Sequence, residues 1–312
     1  MKTFCIVVPV YKNELNIAHL MKELNTLCEN LSKIKLTVTF VIDGSPDKSY
    51  EYLKNELSNA KFSIKIVRLS RNFGAVIAVK AGLTSSQADY YAVMAADSQE
   101  PIYLYQQFLK ELESGSDIVV GQRESRIDSG SVKFFASISW WFYRKFIFNE
   151  MPIGGVDVFA ITNHVRDKLI ELKEKNSSLV GGLYWIGFKK KSVPYTRQAR
   201  LAGKSAWNFF KSLRYFMDSC FNFSDVPIRA LWMFGALGVL ISIALGGAII
   251  WAKFLGQNSS PGYSMTVVTI LFFGSINLIG IGIVGEYIVR AFENSKGRPE
   301  FIIQSEEAFE KN

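Results

Sequence analysis

Two long stretches without a single charge, Leu231–Ala252 and Met265–Gly285, set the strongest limit on how this chain can fold. Each has about the 20 apolar residues a helix needs to cross ~30 Å of hydrocarbon. In lipid every backbone N–H and C=O must be satisfied within the segment, which leaves helix as the conformation open to a pair of such runs. A core helix of a soluble domain would show a polar stripe, and neither run has one. The pair is expected to hold whatever precedes it against a membrane.

Charge near the runs predicts their orientation. Arg214 and Arg229 precede the first, and Arg290, Lys296 and Arg298 follow the second, whereas the connector carries only Lys253. Basic residues favour the cytoplasmic side, so both termini are expected there, in a multi-pass protein of the cytoplasmic membrane. The net charge of +8 interleaves with aromatics in WWFYRKF, GFKKK and FFKSLRYF, which suits membrane phosphates better than nucleic acid. No nucleic-acid motif is present, and nucleic acid is not expected as a partner. Cys5, Cys28 and Cys220 are too scattered for a metal site or a disulfide framework. Met1 leads directly into a strand pattern, so no signal peptide is expected.

The first 225 residues alternate strand and helix. Strands are predicted at Phe4–Pro9, Leu36–Ile42, Lys65–Leu69, Tyr90–Ala95 and Ile118–Gly121. Helices are predicted where Leu15, Ala18, Leu20, Met21, Leu24 and Leu27 recur, and at Ala75–Leu83. This order implies an α/β fold with a mostly parallel, Rossmann-like sheet and right-handed crossovers. Ligands bind such sheets beyond the carboxyl ends of the strands, where each polar cluster of this region falls.

Asp43 follows the second strand, and Asp97 with Gln99 follows the fourth. Each alone reads equally well as a turn residue; together at neighbouring strand ends they favour a nucleotide site. There is no GxGxxG and no GxxxxGK[ST], which disfavours dinucleotide and P-loop binding. His19 and His164 are lone histidines on helical patterns, and no Ser-His-Asp set exists. Catalysis therefore falls to carboxylates, basic residues and a metal.

VPVYKNELNI, VIDGSPDKS, LSRNFGAVIAVKAGL, AADSQEP and GQR occur in the order and spacing of inverting family-2 glycosyltransferases of the GT-A fold. VPYTRQARLAGKSAW, the two apolar runs and GEYIVRAFENSKGRPEFII narrow the resemblance to the polyprenyl-phosphate glycosyltransferases. These include bactoprenol glucosyltransferases and dolichol-phosphate mannose synthases. The resemblance covers nearly the whole chain. It implies a GT-A domain over 1–225, a transmembrane pair over 229–290 and a cytoplasmic tail over 291–312.

The same resemblance places Pro9, Tyr11, Glu14, Asp43, Arg71 and Asp97 in the nucleotide-sugar pocket. Asp97 and Gln99 would bind Mg²⁺ or Mn²⁺, although the first carboxylate of the family's Asp-x-Asp is Ala95 here. Arg123 would face the acceptor phosphate, with Lys133, Ser137, Arg197, Arg200 and Ser205 nearby. Asp157, with Asp97 and Arg123, would form the catalytic set. The implied reaction moves a hexose, UDP-glucose being the first choice of donor, to undecaprenyl or another polyprenyl phosphate with inversion. UDP-N-acetylglucosamine, UDP-galactose and GDP-mannose are the other donors, and a homo-oligomer, a tetramer by resemblance, is implied. The alternative is a non-catalytic membrane scaffold whose nucleotide site has decayed. Aromatic-basic stretches near 132–148 and 206–223 suit amphipathic helices lying in the membrane interface.

Overall fold

The computed structural model describes residues 1–31, 33–123, 141–152, 156–174, 178–198, 209–255 and 262–311. They divide into two compact units, Met1–Phe216 with Arg298–Asn312, and Met217–Gly297.

The first unit is built on β1 (Thr3–Val10), whose apolar run TFCIVVPV is buried on both faces, as a central strand requires. Its alternate residues feed two cores. Phe4, Ile6, Val8 and Val10 share one with Leu20, Leu24 and Leu27 of α1 (Ile17–Asn30). Cys5 and Val7 lie in the other, with Val41 of β2 (Lys35–Ile42). Beyond β2 come α2 (Ser49–Glu56), β3 (Ser63–Leu69) and α3 (Ala75–Ser85). Gly82 lets α3 lie close on the sheet, since a Cβ there would meet Val7 at 2.4 Å and Val41 at 2.8 Å. The order continues with β4 (Tyr90–Val93), α4 (Ile102–Glu113) and β5 (Ile118–Arg123). All five expected strands are present.

Three strands escaped the sequence reading: β6 (Val156–Thr162), β7 (Lys190–Tyr195) and β8 (Ile303–Phe309). The sheet runs β7-β5-β6-β4-β1-β2-β3-β8. The β1–β2, β1–β4, β2–β3 and β5–β7 pairs are parallel; β6 is antiparallel to both its neighbours, and β8 to β3. The segment expected as a cytoplasmic tail over 291–312 therefore supplies an edge strand. Tyr50 and Lys54 hold Glu307 at 2.6 and 2.5 Å, Lys65 pairs with Glu306 at 2.7 Å, and Lys80 pairs with Glu300 at 2.6 Å. Leu15, expected on the core face of α1, is 75% exposed in the 3-10 turn before it.

The second unit contains helices Val226–Phe254 and Tyr263–Ser295. Within them, Val226–Ala248 and Val268–Ser295 are long and apolar enough to cross a membrane. Trp232, Leu240, Phe272 and Ile279 are exposed, unlike side chains of a soluble core helix. The GEYIVR segment is tied to the end of helix Phe209–Phe223: Arg290 pairs with Asp218 and Glu286, each at 2.7 Å, and donates to Asn222 at 3.2 Å. Of the two aromatic-basic stretches, residues 132–140 and 206–208 lie outside the described residues. Residues 141–146 are helical, with Lys145 over the exposed rings of Trp141 and Phe146.

Candidate active site

Parallel pairing brings the carboxyl ends of β1, β2, β3 and β4 to one edge of the sheet, and those of β5 and β7 to the same edge. Because β6 runs the other way, its first residues also fall there: Gln122 is opposite Val156, and Arg123 is opposite Tyr195. The strand order reverses direction between β1 and β4, the position where sheets of this kind open a crevice.

On the β1–β3 side, Asp43 is buried and accepts hydrogen bonds from the backbone N–H of Phe73 (2.7 Å) and Gly74 (2.9 Å). Burial pushes its carboxyl up from the ordinary range, against the pull of those two donors and of Arg71. Asp43 thus fastens the Arg71–Gly74 loop across the end of β2. Gly44, at φ +57°, makes room for this loop. Arg71 stacks its guanidinium on Phe73 at 4.1 Å.

A second set of bonds joins the loops after β1 and β2. Lys12 N–H donates to Ser45 (2.7 Å), Glu14 N–H to Asp47 (3.1 Å), and Lys48 N–H to Glu14 (3.0 Å). Burial acts against the Asp47 carboxylate, but donors from Ser45, Ser49 and the Glu14 backbone hold it below its ordinary value. Glu14 and Asp47 line a cavity of about 300 Å³ with Lys12, Leu15, Asn16 and Pro46. Pro9 lies near the end of β1, and Tyr11 is 39% exposed just beyond it.

On the β4–β7 side the side chains converge more tightly. Arg123 forms an ion pair with Asp157, and the Tyr195 hydroxyl donates to the same carboxylate at 3.2 Å. Burial works against the Arg123 cation, yet Asp157 and Tyr195 leave it more firmly protonated than usual. Burial and then the Asp157 charge push the Tyr195 phenol up. Asp97 lies in the turn between β4 and α4, and Ser98 beside it adopts φ +51°. Gln99 donates its side-chain amide to the Gln198 carbonyl at 3.1 Å, and Gln198 N–H returns a bond to the Gln99 carbonyl at 2.9 Å. These bonds fix the turn against the strand end that carries Arg197.

Glu100 is the residue the sequence reading passed over. It is 2% exposed, and among the described residues neither carboxylate oxygen has a hydrogen-bond partner. Burial first and the Asp97 charge second raise it from 4.5 to about 7, with Arg197 opposing. Tyr195 and Asp47 were also missed. Each lies inside a stretch already singled out, VPYTR and DGSPDKS, without a spacing that marks it.

Lys133, Ser137, Arg200 and Ser205 lie outside the described residues. Of the other expected residues, the structure brings Asp97, Arg123, Asp157 and Arg197 together through shared electrostatics with Glu100. It groups Glu14, Asp43 and Arg71 at the ends of β1–β3. Among the described residues no three His, Cys, Asp or Glu side chains gather into a metal cage. The hard oxygen donors at Asp97, Gln99 and Glu100 nonetheless fit Mg²⁺ or Mn²⁺, which need one or two carboxylates beside substrate phosphates.

Residues 5–166, half of the chain, match the model of glycosyl transferase family 2. The chain belongs to this family. Its sheet is the GT-A sheet, and the protein is a glycosyltransferase. The similarity of family relatives extends beyond that domain. The bactoprenol glucosyl transferase of Shigella phage SfV is 30% identical, over 96% of this chain and 98% of its own. An uncharacterized glycosyltransferase of Synechocystis sp. is 32% identical over 96% and 93%. Glucosyl-3-phosphoglycerate synthase from Mycobacterium tuberculosis, a solved structure, is similar at 15% identity and TM-score 0.46, over 70% of this chain and 76% of that one.

Proposed function

We propose that this glycosyltransferase moves glucose from UDP-glucose to a polyprenyl phosphate, with inversion, at the cytoplasmic face of a membrane. One observation carries the reading: similarity to bactoprenol glucosyl transferases covers 96% of the chain and so includes both long apolar helices. A lipid acceptor explains why a soluble-type sheet is joined to such helices.

The site suits an acceptor that needs placing rather than deprotonating. A phosphate monoester has a second pKa of about 6 and is already mostly ionised at neutral pH. Asp157, held by Arg123 and Tyr195, is therefore an orienting anion rather than a proton acceptor. Arg123 and Arg197 supply positive charge for the incoming phosphate and the departing diphosphate. Asp43 and Gly44 shape the loop that carries Arg71 beside the nucleotide. Mg²⁺ or Mn²⁺, when held at Asp97 and Gln99, supplies electrostatic stabilisation of the leaving nucleoside diphosphate. In-line attack forms the new bond from phosphate oxygen to the anomeric carbon as the bond to diphosphate breaks. An α-linked donor thus gives a β-linked product.

The two helices act as an anchor, with both ends on the cytoplasmic side and the aromatic-basic segments in the headgroup region. Self-association into a tetramer is part of this reading and is checked by mass photometry in nanodiscs. The decisive test incubates purified protein with radiolabelled UDP-glucose, Mn²⁺ and undecaprenyl phosphate, then counts the lipid extract. Label in a mild-acid-labile lipid is expected. UDP-N-acetylglucosamine, UDP-galactose and GDP-mannose are run alongside. Product from one of those alone would change the donor, and product from none would favour a scaffold.

A further inference from the structure

We propose that Glu100 is itself a ligand of the divalent cation held at Asp97, in place of the carboxylate that Ala95 lacks. The inference rests on the reading that a cation binds at Asp97, and it adds a residue to which no role has been given. A carboxylate that is 2% exposed and has no donor at either oxygen has lost its water without replacement. As an anion such a group is unfavourable until a proton or a cation is brought to it.

The groups around it do not meet that need. Asp97 and Asp157 act on Glu100 with the same sign of charge, and Arg123 and Arg197 with the opposite sign. Arg123 is committed to Asp157, to which Tyr195 also donates. Arg197 makes no hydrogen bond to either Glu100 oxygen, and its own Nε is buried without a partner among the described residues. Among the described residues named here, three carboxylates act with two guanidinium groups, 2 − 3 = −1 when all five are ionised. A diphosphate and a lipid phosphate entering this site would add further negative charge. A cation shared by Asp97 and Glu100 reverses that balance, and hard oxygen donors are the ligands Mg²⁺ and Mn²⁺ prefer. Glutamate is one methylene longer than aspartate, which gives Glu100 added reach from the foot of α4.

The test is Mn²⁺ binding to the purified full chain in detergent, read from the electron paramagnetic resonance signal of free Mn²⁺. Glu100→Gln is expected to weaken Mn²⁺ by about tenfold or more. Adding Ala95→Asp to that variant is expected to recover most of the loss. Unchanged Mn²⁺ affinity in Glu100→Gln would overturn the proposal, as would wild-type protein that binds no Mn²⁺. A second measurement needs no variant. With only the glutamates ¹³C-labelled, Mn²⁺ should shift a glutamate carboxylate band in the infrared difference spectrum, and a silent glutamate region is equally fatal. Sugar transfer is scored separately. Wild-type protein that binds Mn²⁺ through Glu100 and makes no lipid-linked sugar refutes the proposed transfer to a polyprenyl phosphate alone.

Discussion

Gly44→Ala tests the part of the site that contains no chemistry. A Cβ at this position would lie 2.4 Å from the Arg71 carbonyl carbon and 2.4 Å from the Asn72 nitrogen, both backbone atoms. Ordinary contact begins at 3.4 Å, so the loop must retreat by 3.4 − 2.4 = 1.0 Å. The bonds from Phe73 and Gly74 to Asp43, now 2.7 and 2.9 Å, would stretch by a similar amount and fail. Hydrogen bonds to a charged group contribute roughly 1.5–3 kcal/mol each. An L-residue at φ +57° adds about 1 kcal/mol. Even the low end, about 4 kcal/mol, raises the open population of the loop ~10³-fold. Hydrogen exchange of peptides covering residues 70–75 reads this directly. Gly115→Ala is the control: φ there is +96°, but no heavy atom lies within 4 Å of the added carbon. It should show the strain without the collision, about tenfold or less. If Gly44→Ala left the protection of Phe73 and Gly74 within threefold of wild type, roughly, the account of this loop would be wrong.

Asp97→Ala is expected to abolish transfer while leaving the melting transition in place, and substantial residual product would refute its assigned role. Tyr195→Phe removes one hydroxyl donor from Asp157 and should lower kcat by about tenfold with little change in donor KM; an equal change in both would mean Tyr195 acts on binding instead. Lys54 and Tyr50 hold the Glu307 carboxylate below its ordinary value of 4.5; for Glu306 burial is the largest single effect and acts upward, but Lys65 and Ser85 together outweigh it and hold that carboxylate down as well. Their contribution to holding β8 is present above pH 4.5 and is lost as pH falls below it. Exchange in residues 303–309 should accelerate there before the central strands do, and simultaneous loss would contradict the sign.

What the sequence showed and what it hid follow from the same physics. Central strands buried on both faces announce themselves as apolar runs, and β1 through β5 were legible for that reason. β8 was not, because QSEEAF presents alternating half-buried positions whose inward groups are partly polar. Its partners lie more than two hundred residues away, at Lys54 and Lys65. The Asp43 loop was visible as a strand-end motif, whereas its role as a clamp depends on the approach of Phe73 and Gly74. Glu100 illustrates the limit most clearly. Its residue type is commonplace before a proline, and only burial without a donor separates it from an ordinary turn carboxylate.

The chain leaves the first unit at Phe216 and returns to it at Arg298, so the helical pair is an insertion in that unit rather than an appendage. A truncation at residue 225, the boundary the sequence suggests, would remove β8 and Glu300 together. Lys80, with its side chain 8% exposed beside Glu300 at 13%, would be left with the Leu172 carbonyl as a partner. Breaking a buried ion pair costs roughly 3–5 kcal/mol. At about 2–4 °C per kcal/mol for a unit of this size, the loss is at least ~6 °C in Tm. The uncovered edge of β3 adds a route to aggregation. The comparison is 1–225 against 1–216 joined to 298–312 by a flexible linker, both followed by thermal melting. Equal melting temperatures would mean that β8 merely rests on the sheet.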